Sequence, residues 1–361
     1  MLPGREEISW NTGALVAALP RCLFMRLRGL LSPSLATNTQ FIQIPIMTTD
    51  SVSPTRALSR REFIGKTALG TTAVALSPYA VRSALAADKL SPPIVVFSKV
   101  YQTLSLNFDD AAAVTAEAGL DGVDPPLRPA GEILPERATE DLPRYVQAMH
   151  KHKLQLPLLT TAIVSTSSPH TEDILRTAKK LGVQYYRVGF IDREGDSKKQ
   201  ITEFKAQLKD LAAMNKAIGI GALVQNHSPA GHGNYLGGDL NDMREIVSDF
   251  DPAQVGVAFD IGHAIIVHKE EWRPRFEALK SHVKVAYVKD AKMTGRWVPF
   301  GEGDVGHLGY FKLLKQMGYN APISMHIEFD WTEKGKTKNR ETLVKALKDS
   351  AAVLRKWLAE A

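Results

Sequence analysis

Val255-Gly-Val-Ala-Phe-Asp260-Ile-Gly-His263-Ala264 is the stretch of sequence that decides the fold. It begins with small and β-branched residues and carries no charge before Asp260, which is typical of a buried parallel strand. We expect the chain to turn at Gly262 and His263. Because a buried carboxylate without a partner is costly, the stretch predicts a cation, a metal or a donor cluster beside Asp260. The alternative is that Asp260 caps the next helix or binds a nearby lysine.

Eight short apolar runs alternate with amphipathic segments from residue 94 onward. The predicted strands are 94–98, 122–124, 155–160, 184–189, 219–225, 255–260, 283–289 and 322–328. The predicted helices are 107–118, 137–153, 170–181, 198–217, 239–249, 270–281, 307–317 and 340–360. This alternation predicts a parallel (β/α)8 TIM barrel over residues 88–361, as a single domain. A doubly wound sheet is the alternative, but no Gly-x-Gly-x-x-Gly follows the first strand.

Residues 1–87 are predicted to be an N-terminal extension with an export signal. Ser59-Arg60-Arg61-Glu62-Phe63 is a twin-arginine pattern, and Ala84-Leu85-Ala86 offers a small-residue cleavage site. The apolar run between them is too short and too polar to span a membrane. We therefore expect a periplasmic or otherwise exported protein. An ordinary basic helix start is the alternative, and translation starts at either Met1 or Met47.

The charge of the chain is concentrated in this extension. The whole sequence has a net charge of +6. Residues 1–86 hold nine Lys and Arg against four Asp and Glu, a net of +5, which leaves about +1 for the rest. A nearly neutral barrel argues against a nucleic-acid partner. The single cysteine, Cys22, also lies in the extension, so the barrel has no disulfide and no cysteine-ligated zinc. The pattern carries no signal for an oligomeric state.

Polar residues gather where the predicted strands end. These ends meet at one mouth of a (β/α)8 barrel, and seven of the eight carry an ionisable residue. Alternate residues of a strand share a face. The side chains expected to point into the mouth are Gln225, Asp260, Tyr287, Lys289, His326 and Glu328.

Asp260, Glu328 and Gln225 are the predicted metal ligands. Two carboxylates with an amide beside them can hold a divalent cation, and oxygen-rich ligation favours Mn²⁺ or Mg²⁺. Histidines near the same strand ends leave Zn²⁺ open.

The other polar residues of the mouth are predicted substrate contacts: His263, His227, Arg128, Arg187 and Lys99. For His227 alone, a loop histidine bonded to backbone is the alternative. The two arginines can instead pair with Asp124 and Glu132.

Four segments together resemble the xylose isomerase-like barrels. They are Phe-Asp260-Ile-Gly-His263, Val-Lys289-Asp290, Gly301-Glu302-Gly303-Asp304 and His326-Ile-Glu328. More narrowly, they resemble the sugar phosphate isomerase/epimerase group, which includes tagatose and psicose epimerases and an AP-endonuclease branch. The resemblance implies a divalent metal held by Glu, Asp, His and Glu at the ends of strands five to eight. It also implies two glutamates that move a proton on carbon, and a contact of His263 with substrate oxygens.

The chain departs from that pattern at two positions. Gln225 stands where the strand-five glutamate is expected, and Tyr287 stands where the strand-seven histidine is expected. Glutamine can ligate a metal but cannot take a proton, which disfavours two-base epimerisation. A single-base reaction, with Glu328 or His326 as base and Lys289 polarising a carbonyl, is compatible with the residues that remain.

The expected function is that of an exported, metal-dependent enzyme resembling sugar isomerases and epimerases. It would transfer a proton next to a carbonyl of a carbohydrate or polyol. The alternatives are a keto-sugar lyase or hydrolase, or a non-catalytic periplasmic sugar-binding protein. Gly301-Glu302-Gly303-Asp304 is expected to form a turn over the site, since its two acids repel phosphate. Trp272, Trp297 and Phe300 are either stacking surfaces for a sugar or core residues.

Overall fold

The structure is a computed structural model that describes residues 90–229, 234–332 and 337–361. The twin-arginine pattern, the cleavage site and Cys22 lie outside these residues, so the export signal stays a prediction. Within the described ranges, no helix has both the length and the apolar character that a membrane span requires.

Nine strands, all paired in parallel, form one sheet in the described residues. They are β1 Ile94–Phe97, β2 Gly122–Asp124, β3 Pro126–Leu127, β4 Leu158–Thr161, β5 Tyr185–Arg187, β6 Gly221–Gln225, β7 Val255–Asp260, β8 Val283–Val288 and β9 Ile323–Met325. The sheet order runs β2-β1-β9-β8-β7-β6-β5-β4-β3. Because β2 and β3 end this order yet are consecutive in the chain, the sheet curls into a barrel. The predicted (β/α)8 TIM barrel is confirmed, with its second strand divided at Pro125.

Helices connect the strands around the outside of the sheet. They are α1 Phe108–Glu117, α2 Ala138–Lys151, α3 Thr171–Lys180, α4 Ser197–Ile218, α5 Leu240–Val247, α6 Ile261–His268, α7 Trp272–Leu279, α8 Tyr310–Gln316 and α9 Arg340–Ala359. Asn107 caps α1 by accepting a hydrogen bond from the Asp110 N–H at 2.9 Å. Helix α4 ends at Gly219, whose φ of +80° provides the left-handed C-cap. A side-chain cap and a terminal glycine therefore set these two helix boundaries.

Helix α6 is the element that the sequence did not predict. It begins directly after β7, where a turn was expected, and Asp260 is its N-cap. Ile261, Ile265 and Ala264 are all buried, as are Gly262 and His263. A short helix that is apolar on most sides gives no amphipathic period, so its pattern looks like a continuation of the strand.

The core has two layers. A small inner cluster fills the barrel with Val95, Leu158, Leu223, Ala258 and Val285, together with Tyr287. A much larger cluster lies between the strands and the surrounding helices. Most of the buried polar residues stand at the carboxyl ends of the strands or just beyond them, which places a polar site over a packed interior.

Candidate active site

Asp260 ends β7 and is completely buried. Its Oδ1 accepts a hydrogen bond from the His263 N–H at 3.2 Å, which caps α6. Its Oδ2 accepts a hydrogen bond from the Gln225 amide at 3.1 Å and lies 3.2 Å from Lys289 Nζ. Burial raises the pKa of Asp260, and the Lys289 ammonium opposes that rise. Both alternatives considered from the sequence, a helix cap and a nearby lysine, are therefore present at once.

Asn226 joins the ends of β6 and β7. Its Nδ2 donates to the backbone carbonyl of Asp260 at 2.9 Å, and its Oδ1 accepts from the Asp260 N–H at 2.8 Å. The side chain is fully buried. This pair of bonds fixes the backbone that carries Asp260, a role that sequence reasoning did not assign to Asn226.

The ammonium group of Lys289 is the cation that the buried carboxylate requires. Lys289 follows β8 and is only 3% exposed. Its Nζ donates to His263 Nε2 at 2.9 Å, and it lies 3.2 Å from Asp260 Oδ2 and 4.0 Å from Glu328 Oε1. The ring centre of Trp297 is 5.0 Å away. An ammonium has three N–H donors, and the two short contacts use two of them.

The protonation of His263 follows from its partners. Nδ1 lies 2.8 Å from Ser228 Oγ, and Nε2 lies 2.9 Å from Lys289 Nζ. Because an ammonium only donates, Nε2 must accept, and Nδ1 carries the proton that it donates to Ser228. Burial and then the charge of Lys289 lower the pKa of His263 well below its usual value. Both ring nitrogens are engaged within the protein, and the predicted contact of His263 with a substrate stays a prediction.

His227 lies beside His263, with their ring centres 3.7 Å apart. Its Nδ1 is 2.7 Å from the backbone carbonyl of Ser228. Because a carbonyl only accepts, Nδ1 carries the proton and Nε2 keeps its lone pair. Burial, followed by the charge of Lys289, lowers the pKa of His227 to about 4. The bond to backbone that the sequence allowed for is observed, and the neutral ring still has an acceptor for a substrate hydroxyl.

Sequence reasoning missed Phe190 and Tyr235, which extend this aromatic wall. The Phe190 ring centre is 4.5 Å from that of Tyr235 and 5.0 Å from that of His227. The Arg187 guanidinium lies over the Phe190 ring at 4.3 Å. The position of Phe190 just after a predicted strand was a usable signal. Tyr235 lies in an irregular segment between β6 and α5, where no periodicity marks it.

Glu328 is the partly exposed carboxylate of the mouth, three residues after β9. Its side chain is 27% exposed. Lys99 Nζ lies 3.8 Å from Oε2, and Lys289 Nζ lies 4.0 Å from Oε1. Both separations exceed hydrogen-bond length. The carboxylate therefore lies between two cations without a short bond to either. Lys99 is half exposed and contacts this acid at the rim of the mouth.

His326 directly follows β9 and is 3% exposed. Its ring stacks on Phe97 and packs against Tyr287, with centres 4.7 and 4.6 Å away. Neither ring nitrogen has a hydrogen-bond partner among the described residues. Burial lowers the pKa of His326 well below its usual value. A buried neutral imidazole with one free donor and one free acceptor indicates a site for a bound polar molecule.

A second buried carboxylate, Asp124, ends β2 on the opposite wall of the barrel. Its Oδ1 accepts from Thr160 Oγ1 at 3.0 Å, and its Oδ2 accepts from Ser324 Oγ at 2.9 Å. The Tyr287 hydroxyl is buried without a hydrogen-bond partner among the described residues, although it lies close enough to this carboxyl group to lower its pKa. Burial raises the pKa of Asp124 to about 6, although the hydroxyl donors oppose the rise.

The predicted arginines do not form close pairs with the acids of this wall. Arg187 is buried and donates from Nη1 to the carbonyl of the next residue at 2.7 Å; burial lowers its pKa to about 10. Glu132 accepts from Ser98 Oγ at 2.5 Å and from the Tyr145 hydroxyl at 3.0 Å. Burial raises the pKa of Glu132 to about 7. Arg128 Nε has no hydrogen-bond partner in the described part of the chain, and its predicted contact with a substrate stays a prediction.

The segment Gly301-Glu302-Gly303-Asp304 forms a turn around Asp290, as expected. Asp290 Oδ2 accepts from the N–H groups of Gly301 and Gly303 at 2.8 and 2.9 Å. Its Oδ1 accepts from the Val305 N–H at 3.3 Å. Since a carboxylate occupies these backbone donors, they are not available to a phosphate group.

Of the three aromatic residues considered as stacking surfaces, Trp297 lies at the site. Its ring centre is 4.9 Å from that of His263. Trp272 is 2% exposed, and Phe300 is buried and stacks on Trp357. For Trp272 and Phe300, the stacking interpretation is wrong because both rings pack into the core.

Gln225, Asp260 and Glu328 do not fit a divalent metal in this arrangement. Gln225 presents its amide NH₂, and not its carbonyl oxygen, to Asp260. Lys289 Nζ already lies 3.2 Å from Asp260 Oδ2. At an effective dielectric constant near 20, two unit charges about 4 Å apart repel by about 4 kcal/mol, and a divalent ion doubles that value. Residues 90–229, 234–332 and 337–361 contain no group of three His, Cys, Asp or Glu that could hold a metal ion.

Comparisons with solved structures agree on the fold. A D-psicose 3-epimerase from Clostridium cellulolyticum H10, solved with D-tagatose, is 13% identical with a TM-score of 0.55, covering 74% of this chain and 99% of its own. A 3-keto-D-glucoside 4-epimerase from E. coli is 14% identical with a TM-score of 0.55, covering 74% and 100%. A xylose isomerase-like TIM barrel protein from Mycobacterium smegmatis, in complex with magnesium, is 14% identical with a TM-score of 0.53, covering 74% and 98%.

No curated protein sequence matches the chain. The sequence profile of one family does match, and it spans residues 112–357, which is more than half of the chain and runs from α1 to α9. The match includes the strand ends that carry Gln225, Asp260, Lys289 and Glu328. The chain belongs to the xylose isomerase-like TIM barrel family.

Proposed function

We propose that this barrel is a sugar isomerase that moves a proton between neighbouring carbons of a small carbohydrate or polyol-derived carbonyl compound. One observation carries the proposal. A partly exposed carboxylate, Glu328, and a buried ammonium, Lys289, stand 4.0 Å apart at the carboxyl end of the barrel. Proton abstraction next to a carbonyl requires a base of this kind and a cation that stabilises the oxyanion.

In the proposed reaction, Lys289 donates its third N–H to the carbonyl oxygen of the substrate. Glu328 then takes a proton from the adjacent carbon, and the electron pair of the broken C–H bond forms an enediolate whose negative charge faces the ammonium. The carboxyl proton of Glu328 exchanges with solvent because the side chain is 27% exposed, and Glu328 then protonates the former carbonyl carbon. The carbonyl group thereby moves to the neighbouring position, and Glu328 ends as a carboxylate.

His326 transfers a proton between the two oxygens of the enediolate. Its ring is neutral and buried, and it has one donor and one acceptor without a partner in the described residues. A neutral imidazole can give a proton to one oxygen while it takes one from the next. The acceptor Nε2 of His227 is available to a further hydroxyl of the sugar.

A single base favours isomerisation over epimerisation. An epimerase must remove a proton from one face of the carbon and return it on the other, which takes two groups. Gln225 cannot serve as the second of them, because an amide accepts no proton at neutral pH. Isomerisation returns the proton on the same face, and Glu328 can perform both steps alone.

Glu328→Gln tests the role of the base. Losing a general base typically costs about 10²–10⁴-fold in rate, while the amide keeps the size and most hydrogen bonds of the side chain. The assay follows aldose–ketose conversion over a panel of sugars, and Glu245→Gln on the exposed face of α5 is the control. Full activity in Glu328→Gln would contradict the proposal. If the wild type binds a sugar and converts none, the protein is a non-catalytic sugar-binding protein and the isomerase proposal is wrong.

We further propose that the protein is exported through the twin-arginine route. Arg60 and Arg61 before an apolar run, followed by the Ala84-Leu85-Ala86 site, support this. Replacing both arginines by lysine should leave an uncleaved protein in the cytoplasm. An unchanged location and amino terminus in that variant would contradict export.

A further inference from the structure

We propose that the Lys289 ammonium replaces a divalent metal in this site, and that its third N–H polarises the substrate carbonyl. This inference rests on the proposed proton transfer and names its electrophile. It concerns a monovalent cation that belongs to the chain itself.

The position of Nζ is the first argument. It lies 2.9 Å from His263 Nε2, 3.2 Å from Asp260 Oδ2 and 4.0 Å from Glu328 Oε1. A metal bound by Asp260 and Glu328 would have to enter the space between these two carboxylates, beside or in place of the ammonium. The side chain of Lys289 is 4% exposed, so the ammonium is enclosed and not a surface group that approaches the acids from solvent.

The charge balance is the second argument. Asp260 has one full negative charge to neutralise, and Lys289 supplies one positive charge at 3.2 Å. Gln225 adds a neutral donor to the same oxygen at 3.1 Å. A glutamate at position 225 would place a second carboxylate there and leave a net negative charge in a buried site. A neutral glutamine therefore suits a site whose cation is the monovalent Lys289 ammonium. A glutamate at position 225 would suit a site that holds a divalent metal.

The packing around Lys289 is the third argument. Gly262 lies against its stem: a Cβ there would be 2.8 Å from Lys289 Cγ and 3.1 Å from Trp297 Cζ3. The Trp297 ring centre is 5.0 Å from Nζ. The glycine and the indole thus shape a channel for this one side chain and keep its ammonium beside Asp260.

The donor count gives the chemical role. An ammonium has three N–H groups, and Asp260 and His263 take two. Glu328, at 4.0 Å, is beyond hydrogen-bond length. The third N–H is therefore left for a substrate oxygen, on the side where Glu328 can reach the adjacent carbon.

Metal binding is the direct test. Full-length protein is examined by elemental analysis as purified, and is then treated with a chelator and titrated with Mn²⁺ by calorimetry. We expect no stoichiometric metal and no binding in the wild type. In Lys289→Met the two carboxylates lose their cation, and measurable Mn²⁺ binding should appear where the wild type shows none. Adding Gln225→Glu and Tyr287→His should raise the affinity further.

Lys292→Met is the matched control, since Lys292 pairs with Asp304 outside the site, and it should bind no Mn²⁺. Far-UV circular dichroism checks that each variant folds. If Lys289→Met does not fold, the Mn²⁺ titration of the wild type alone tests the inference. Stoichiometric Mn²⁺ in the wild type, with turnover lost on chelation, would overturn this inference and leave the isomerase proposal intact. A wild type that turns over no sugar, with or without Mn²⁺, would instead count against the isomerase.

Discussion

Two buried aspartates stand on opposite walls of the same barrel and are stabilised in opposite ways. Asp260, at the end of β7, has an ammonium at 3.2 Å, an amide donor and a backbone N–H. Asp124, at the end of β2, has the hydroxyl groups of Thr160 and Ser324. Both are 0% exposed. The comparison shows that a carboxylate at a strand end does not by itself indicate a metal or a base, because its neighbours determine whether it holds a charge.

The difference assigns separate tasks to the two walls. On the Asp260 wall, a full ion pair positions the ammonium toward Glu328 and the substrate. On the Asp124 wall, neutral hydroxyls surround an acid whose pKa burial has raised to about 6. That acid holds strands β2, β4 and β9 together through Thr160 and Ser324.

The largest effect is expected from neutralising each aspartate in turn. Asp260→Asn removes the nearer of the two carboxylates beside the buried Lys289 ammonium, and breaking a buried pair in this way costs roughly 3–5 kcal/mol of stability. Asp124→Asn removes an unfavourable buried charge and should be neutral or stabilising at pH 7. Urea unfolding of both variants measures the two values. An equal loss of unfolding free energy in Asp260→Asn and Asp124→Asn would show that the two aspartates are not stabilised in different ways.

The pH dependence of stability should separate the walls next. The folded pKa of Asp124 is about 6, against an ordinary value of 3.8. Between these values the folded protein keeps a proton that the unfolded chain has lost, so stability falls as pH rises through this window. The loss amounts to roughly 3 kcal/mol and is nearly complete about one pH unit above the folded pKa. The difference in free energy of unfolding between the wild type and Asp124→Asn, measured across this pH range, isolates the contribution of Asp124. A difference that does not change with pH would contradict the raised pKa of Asp124.

A smaller effect is expected from two buried serines. Ser228→Ala removes the acceptor for His263 Nδ1, and Ser324→Ala removes a donor to Asp124. Each should cost about 1–3 kcal/mol of stability. Activity should fall only in Ser228→Ala, because His263 then loses the bond that keeps Nε2 as an acceptor for Lys289. Unfolding and turnover assays compare the two variants. An equal loss of activity in Ser324→Ala would contradict the separate roles of the two walls.

The fold was predictable because its signals are local and repeated. Most apolar runs are followed by an amphipathic segment, and some of these segments begin at a side-chain cap or end at a glycine, as at Asn107 and Gly219. Helix α6 was missed since it starts inside the strand-end motif and is apolar on most sides. The division of the second strand at Pro125 also depends on the tertiary closure of the barrel, which no local pattern records.

The sequence predicted which residues lie at the site, but it did not predict which of them contact each other. The pleat brings Gln225, Asp260, Lys289 and His326 to one mouth, and the structure places them there. The partner of Asp260 was left open between a metal, a cation and a cap, because sequence spacing does not show how far the Lys289 stem reaches. Asn226 and Ser228 were adjacent to named residues, yet their roles depend on hydrogen bonds that span 34 or 35 positions in the chain.

Exchange of solvent deuterium into a sugar, followed by NMR with chelator-treated protein in D₂O, is the decisive test of the proposed proton transfer. We expect the wild type to introduce deuterium at the carbon next to the carbonyl without added metal. Glu328→Gln should abolish this exchange while retaining sugar binding. Exchange that persists in Glu328→Gln, or no exchange in any sugar that the wild type binds, would contradict the proposed proton transfer.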